Sequence, residues 1–436
     1  MRILALTAGA ARMYCGSCLR DNTLAAELQR QGHDVTLLPL YTPTRTDEPN
    51  VSSPEVSLNG ISVCLCQEAA FFRRPRPLLD RLWDAPWMLH LATQTSIRVN
   101  PHSLGAMTVS MLRGEEGHQL KDIRKLTARL RALLTQAPPD IVTLPNSLLI
   151  GLARPIREAL RRPVCCTLQG EEIFLDQLPE PHRTQALDLI RAKTQDVDGF
   201  VAVSRFSADY WQRQLGIPSH RMHLVPLGIV PGDFGPPARV PGAPFTVGFL
   251  ARVAPEKGLD LLAGSYVRLR RDTDFGPSAL QVAGYLAPEH RGYLRATERL
   301  MKDAGLDREF HYRGELDRAA KVEFLRSLDV LSVPCTCDEP KGISILEAMA
   351  GGVPVVQPRR GAFPEILETT GGGILVEPGS ASSLADGIYS LWKDRALAAE
   401  LGRRGALGVR ANFTAAQMAA RALEAYQAIA TDAAHA

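Results

Sequence analysis

Short β-branched apolar runs alternate with helical segments along most of this chain, and that alternation restricts it to a parallel α/β architecture. RILALT (2–7), DVTLLPL (34–40), DIVTLP (140–145), PVCCTL (163–168), GFVAVS (199–204) and HLVPLGI (223–229) read as strands of a first sheet. FTVGFL (245–250), ALQVAG (279–284), EFHYRG (309–314), VLSVP (330–334), GVPVVQP (352–358) and GILVEP (373–378) repeat the pattern for a second. Ligands of such sheets gather at the carboxyl ends of the strands, so site residues are sought on strand-to-helix turns.

The most informative of these turns is EPKGISILE, Glu339 to Glu347. It follows the VLSVP strand and runs into a helix, ISILEAMAGG (343–352), that stops at glycine. Pro340 fixes φ, Gly342 permits close backbone approach, and the first N–H groups of the helix, from Ile343, lack intrahelical partners and carry the positive dipole end. A diphosphate suits that end. Glu339 precedes the turn and Glu347 lies just over one helical turn inside, so the two carboxylates flank the phosphate position and suit sugar and ribose hydroxyls. Taken alone, an N-terminal Glu with a solvated helical Glu explains the pair equally well.

With its continuation EAMAGGVPVV, this stretch resembles the Glu-x7-Glu motif of retaining glycosyltransferases of the GT-B fold, family 4 (glycosyl transferases group 1). The resemblance assigns Glu339 to hydroxyls of the transferred sugar and Glu347 to the ribose of the nucleotide. It extends to FTVGFLARVAPEKGLDLL (245–262), where Arg252 and Lys257 flank a turn after a strand. Two cations beside a helix N-terminus neutralise the charge that grows on a diphosphate leaving group, and Arg-x4-Lys-Gly matches the family's diphosphate loop. The similarity is strong over about 245–412 and weaker over the first 230 residues.

At 436 residues the chain has room for two domains, and its net charge of +3 is too small to argue for nucleic acid. No apolar run approaches the roughly 18 residues needed to span a bilayer. ILALTAGAA (3–11) has the length of a signal segment, but only Arg2 precedes it and the same residues make a good first strand, so a cytoplasmic location is expected. The eight cysteines include four close pairs, Cys15 and Cys18, Cys64 and Cys66, Cys165 and Cys166, Cys335 and Cys337. Cys15-Gly-Ser-Cys18 has zinc or redox spacing, whereas small buried residues are the plainer reading of all four.

The first domain opens as β-α-β, with Gly9 and Gly16 in the loop between RILALT and a helix from about Leu19 to Gln31. The resemblance makes this a loop facing donor phosphates and acceptor, with Gly16 carried over. From about Tyr41 to Pro138 the alternation fails: a hairpin at 55–66 is expected, then helices near 77–96, 103–112 and 119–136. FFRRPRPLLDRLWDAPWML (71–89) and the basic amphipathic 119–136 helix admit peripheral membrane contact or an acceptor wall; a helix packed on the sheet with a solvated basic face is the plainer reading. A helix is expected from Ser147 to about Arg161. After PVCCTL comes Gln169-Gly170-Glu171-Glu172, where the family commonly has His; Gln169 hydrogen bonds but does not titrate. Gln169, Glu171 and Ser204 are the acceptor-side candidates.

Asp196-Val-Asp198 and Asp272-Thr-Asp274 precede strands rather than follow them, so neither is expected to hold a metal. The resemblance therefore implies two doubly wound Rossmann-like domains facing each other across a cleft. An acceptor domain spans 1–229 with a helical elaboration at about 67–138, a nucleotide-sugar domain spans 230–412, and a helix over 413–436 crosses back. The implied activity is transfer, with retention, of a sugar from a UDP- or GDP-sugar to a hydroxyl of a carbohydrate, glycolipid or small molecule. Glu339, Arg252, Lys257 and Gln169 are the catalytic candidates, and Gly16, Arg252, Lys257, Glu339, Gly342, Ile343 and Glu347 the donor-binding ones. No metal and no cofactor beyond the nucleotide sugar is expected. The rivals are a sugar phosphorylase or sugar-phosphate synthase on the same fold and a non-catalytic nucleotide-sugar-binding subunit, the latter suggested by Gln169.

Overall fold

Two six-stranded, wholly parallel sheets organise the chain, in strand orders 2-1-3-4-5-6 and 12-11-10-7-8-9. The computed structural model describes residues 1–9, 14–58, 101–134, 137–236 and 243–435. Cys64, Cys66, the helix expected near 77–96, the aromatic and basic segment 71–89 and the far half of the expected hairpin lie outside them.

The chain divides into a first unit, Met1–Pro226 with Met418–Ala436, and a second, Leu227–Gln417. The first contains β1 (Arg2–Thr7), α1 (Gly16–Arg30), β2 (Asp34–Pro39), α2 (Pro101–Leu112), α3 (Leu120–Leu134), β3 (Ile141–Leu144), α4 (Ala153–Leu160), β4 (Val164–Leu168), α5 (Glu171–Leu175), α6 (His182–Lys193), β5 (Gly199–Ala202), α7 (Arg205–Leu215) and β6 (Met222–Leu224). The second contains β7 (Phe245–Leu250), α8 (Leu259–Asp272), β8 (Ser278–Ala283), α9 (Arg291–Asp303), β9 (Phe310–Tyr312), α10 (Arg318–Arg326), β10 (Val330–Leu331), α11 (Ile343–Ala350), β11 (Val355–Pro358), α12 (Phe363–Thr370), β12 (Gly373–Val376), α13 (Ala381–Lys393) and α14 (Arg395–Asn412). The last helix, α15 (Ala415–His435), contributes Met418, Ala422, Tyr426 and Ile429 to a core of the first unit.

Residues with period two separate the faces of the first sheet. Leu4, Val142, Cys166 and Phe200 enter one core, while Ile3, Ile141, Cys165 and Val201 enter the other, under α1 and α15. Cys165 and Cys166 therefore point to opposite faces and are inert core residues. The apolar stripe of α3, Ile123, Leu126 and Leu130, is buried in the first of these cores, with Arg124, Lys125 and Arg131 exposed. Among the described residues no helix is long and apolar enough to cross a membrane.

Two expected elements are corrected. The helix from Ser147 is instead a 3-10 turn, Ser147–Leu152, followed by α4, because Pro155 has no N–H to donate and is accommodated in the first turn of an α-helix. The strand expected over 223–229 ends at Leu224, two residues before Pro226, which cannot donate to a ladder.

Candidate functional site

In the second sheet the strand order reverses between β7 and β10, which are hydrogen-bonded neighbours, so the loops that follow them open side by side. The loop after β7 carries Arg252 and Lys257; the loop after β10 carries Glu339, Gly342 and then Ile343 at the start of α11. Gly258 (φ +73°) brings the loops into contact, since a Cβ there would lie 2.1 Å from the Pro334 carbonyl oxygen. Gly342 (φ +65°) adopts the left-handed conformation that turns the chain into α11.

The centre of this crevice is an ion pair. Lys257 Nζ donates to Glu339 Oε2 at 2.5 Å, with both side chains 13% exposed. Burial alone would raise the Glu339 carboxyl, but the charges of Lys257 and Lys341 outweigh it and hold the group down at about 2. Burial would likewise lower the Lys257 ammonium, and the facing Glu339 carboxylate reverses this and raises it. Glu339 Oε1 accepts from the Lys341 N–H at 3.2 Å and the Gly342 N–H at 3.5 Å. Arg252 stands further out, 42% exposed, with Nη2 donating to Glu256 Oε1 at 2.8 Å.

Glu347 is deeper. At 3% exposure its Oε1 accepts from Lys321 Nζ, and Arg318 Nη1 lies 3.8 Å from the same oxygen. Both cations belong to α10 and pack over the ring of Phe234. The second unit thus holds an outer carboxylate and an inner one, each matched to a lysine from another loop or helix.

In the first unit the order reverses between β1 and β3. Gly16 is the first residue of α1, while Gly9 (φ +81°) is the loop glycine in close contact, a Cβ there falling 1.9 Å from the Thr42 carbonyl oxygen. Gln169, 2% exposed, donates from Nε2 to the Pro145 carbonyl at 2.6 Å and to Asp21 Oδ1 at 3.4 Å. Glu171, 5% exposed, accepts the Ser147 N–H on Oε1 and the Gln169 N–H on Oε2, each at 2.7 Å, so it ties the ends of β3 and β4 together. Burial pushes its carboxyl up and those N–H groups pull it back. Ser204 is the N-cap of α7, its hydroxyl accepting from the Ser207 N–H at 3.1 Å.

The Asp-x-Asp residues have local duties at the amino ends of strands. Asp198 accepts the first N–H of β4, from Val164, at 2.8 Å and pairs with Arg157, while Asp272 pairs with Arg271 and Asp274 accepts from Tyr389. Among the described residues no group of three His, Cys, Asp or Glu side chains is arranged to hold a metal ion.

Two family models cover most of the chain: residues 22–228 match a glycosyl transferase 4-like domain and residues 236–407 match glycosyl transferases group 1. This chain belongs to the group 1 glycosyltransferases. Among its relatives is a GDP-mannose-dependent α-(1-6)-phosphatidylinositol monomannoside mannosyltransferase of Mycobacterium tuberculosis, 26% identical over 309 residues, which span 67% of this chain and 77% of the relative. Another is an MMP α-(1→4)-mannosyltransferase of Mycolicibacterium hassiacum, 25% identical over 383 residues, 85% of this chain and 84% of the relative. Among solved structures, a sucrose-phosphate synthase of Thermosynechococcus elongatus superposes with a TM-score of 0.71 at 19% identity over 98% of both chains. Anabaena HepE in complex with UDP-glucose gives 0.65 at 16% identity over 97% of this chain and 98% of that one. These likenesses give the glycosyltransferase the GT-B fold.

Two parts of this glycosyltransferase's site escape a reading of its sequence. Arg20 and Asp21 form a buried pair in the second turn of α1, 3.1 Å apart, and Asp21 is one of the groups that hold Gln169. Polar residues at 20–22 on a helix otherwise read as its solvated face; the only signal is that Leu24 and Leu28, one and two turns on, are core. Arg20 Nε and Nη2 find no hydrogen-bond partner among the described residues and border a cavity of about 10 Å³, room for one water.

The other is Gly361 (φ +58°), whose Cβ would lie 2.4 Å from the Glu339 carbonyl oxygen and 2.6 Å from its nitrogen. The neighbouring Ala362 N–H donates to that same carbonyl at 2.8 Å. Gly361→Ala should therefore displace Glu339 and, Glu339 being a donor-site candidate, lower kcat/KM for sugar transfer by about 10²-fold, the scale of a small misplacement in an active site. Steady-state kinetics of the variant measure this, and an unchanged kcat/KM would show that the backbone of Glu339 tolerates the push.

Proposed function

We propose that this enzyme moves a hexosyl group, with retention of anomeric configuration, from a nucleotide diphosphate sugar to a hydroxyl acceptor. The observation that carries this reading is the buried Lys257–Glu339 pair at the β7/β10 switch point, beside the N-terminus of α11. The diphosphate lies at the first N–H groups of α11, from Ile343, behind Gly342, with Lys257 and the more exposed Arg252 neutralising the charge that develops as the glycosidic bond breaks. Those cations do the work that a divalent metal does in other transferases, so no metal is required. Glu339 takes hydroxyls of the transferred sugar and Glu347 those of the ribose. Gln169, fixed by Pro145 and Asp21, orients the acceptor on the first unit, while Glu171 and Ser204 act through the backbone they hold. The names of the mannosyltransferase relatives make GDP-mannose the first donor to test, and an inositol-bearing glycolipid the first acceptor.

Changing the two carboxylates separately tests this division. Glu339→Gln should weaken GDP-mannose relative to GDP, because a charge-assisted hydrogen bond worth about 1.5–3 kcal/mol is lost only when the sugar is present, whereas the altered hold on Lys257 acts on both ligands alike. Glu347→Gln should weaken both ligands. Calorimetric titration of each variant with each ligand decides it; equal losses for both ligands in Glu339→Gln would refute the assignment.

A further inference from the structure

The turn that carries Glu339 also carries two thiols for which sugar transfer has no use. Cys335 is 2% exposed, Cys337 is half-buried, and both are free. The stretch between them is pinned from the Lys257 side: the Thr336 N–H donates to the Glu256 carbonyl at 3.0 Å, and Cys337 Sγ lies 3.6 Å from the same oxygen. The Cys335 N–H donates to the Val333 carbonyl at 2.8 Å, which tightens the chain ahead of the pair. One residue separates the two cysteines, and because exposed Thr336 stands between them both side chains turn inward on the same side of the chain, where each feels the other thiol and the Lys257 ammonium. Contact with Cys335, and then Lys257, holds the Cys337 thiol below its ordinary range; contact with Cys337, and then burial, raises that of Cys335. A half-buried sulfur one residue from a buried second sulfur, on a turn that a buried lysine faces, is the arrangement of an attacking and a resolving cysteine. The adjacent pair in β4 lacks it, since Cys165 and Cys166 face opposite sides of the sheet. Cys15 and Cys18 share the pattern of a half-buried thiol against a buried one, but they lie where α1 begins and not on the turn that carries Glu339.

We propose that Cys335 and Cys337 are a thiol-oxidation site that a low-molecular-weight disulfide closes to an intrachain disulfide, and that closure weakens nucleoside diphosphate binding at Lys257. The second clause rests on the donor-site reading above. The Cys337 thiolate attacks one sulfur of the small disulfide and forms a mixed disulfide, expelling one small thiolate that takes a proton from solvent. Cys335 then loses its proton to solvent and attacks Cys337 Sγ, expelling the second small thiol. Two protein thiols are oxidised by two electrons, and one small disulfide is reduced to two thiols. The new bond removes two polarisable thiols from beside Lys257 and constrains the turn two residues before Glu339. Because the binding equilibria are linked, a nucleotide that binds the closed form less well must resist closure by the same factor.

The test exposes the full chain to buffers of graded reduced to oxidised glutathione, with and without GDP or UDP, followed by alkylation of free thiols and peptide mass mapping. The peptide containing Cys335 and Cys337 should lose the mass of two hydrogens, and Cys337→Ser should abolish this. Calorimetry should show the oxidised protein binding nucleotide about tenfold more weakly, and nucleotide should shift the oxidation midpoint by that same factor. A persistent mixed disulfide, no bond between the two cysteines at any ratio, or closure without change in nucleotide affinity would overturn the proposal. If the reduced protein binds neither nucleotide, the donor-site reading and the coupling fail together, while the mass map still decides the thiol site.

Discussion

Lys257→Met should lower turnover about 10²–10³-fold, because on the proposed donor site it removes an electrostatic stabiliser of the leaving group, worth roughly 2.7–4 kcal/mol in the transition state. Methionine keeps most of the length and the apolar stem, so the change is chiefly one of charge. The same substitution strands Glu339, whose carboxylate is buried and now lacks its nearest cation. That gives the prediction a second, independent readout in pH. In the wild type the Glu339 carboxyl is held down to about 2 from an ordinary 4.5, so its contribution to stability is complete above about pH 4.5 and is lost as pH falls toward 2. The window is worth roughly 3 kcal/mol. In Lys257→Met burial pushes the carboxyl up, and the acid-induced loss in that window should shrink. Urea denaturation between neutral pH and pH 2 measures it, alongside kinetics at neutral pH. Normal turnover would remove Lys257 from the leaving group, and an unaltered acid limb would show that the pair does not set the ionisation of Glu339.

The parts of this molecule that were legible in its sequence are those specified over a few residues. The alternation of apolar strands and helices implied two parallel sheets, and it did so because parallel strands are buried on both faces and write themselves as uniform runs such as VCCTL. The Ser204 hydroxyl that caps α7 sits where a short polar residue precedes a helix, yet a serine at a strand tip reads equally as a ligand contact. Glu171 presents the same difficulty in stronger form. Its two N–H donors come from Ser147 and Gln169, and only the adjacency of β3 and β4 brings Ser147 within reach. Lys321 is a further example. Three residues after Arg318 on a short helix, it has the spacing of a solvated charged face, and nothing local reveals that a buried glutamate lies opposite. The partners of Glu171 and Glu347 come from elements distant in sequence and are set by topology, so the sequence marked these two carboxylates and left Ser147 and Lys321 unmarked, whereas both members of the Lys257–Glu339 pair lie in motifs.

Lys321→Met should destabilise the second unit by about 3–5 kcal/mol, the cost of leaving one member of a buried ion pair without its partner. Glu347 is 3% exposed and Arg318, at 3.8 Å from the same oxygen, is a weaker substitute, which places the expected loss toward the lower end of that range. Hydrogen exchange of peptides covering α10 and α11 isolates this loss from the unfolding of the first unit. Unchanged protection of α11 would mean that Arg318 and Phe234 suffice to hold the carboxylate. A second substitution separates stability from function. Lys321→Met combined with Glu347→Met replaces the pair by apolar side chains, an exchange that is often neutral or stabilising, so protection should return. Nucleotide affinity should not return with it, because the ribose hydroxyls then face a thioether in place of a carboxylate. If the double variant recovered both, Glu347 would be a structural residue whose charge merely answers Lys321. If it recovers stability alone, Glu347 is retained for the ligand, and Lys321 is what allows a buried glutamate to wait there in the free enzyme.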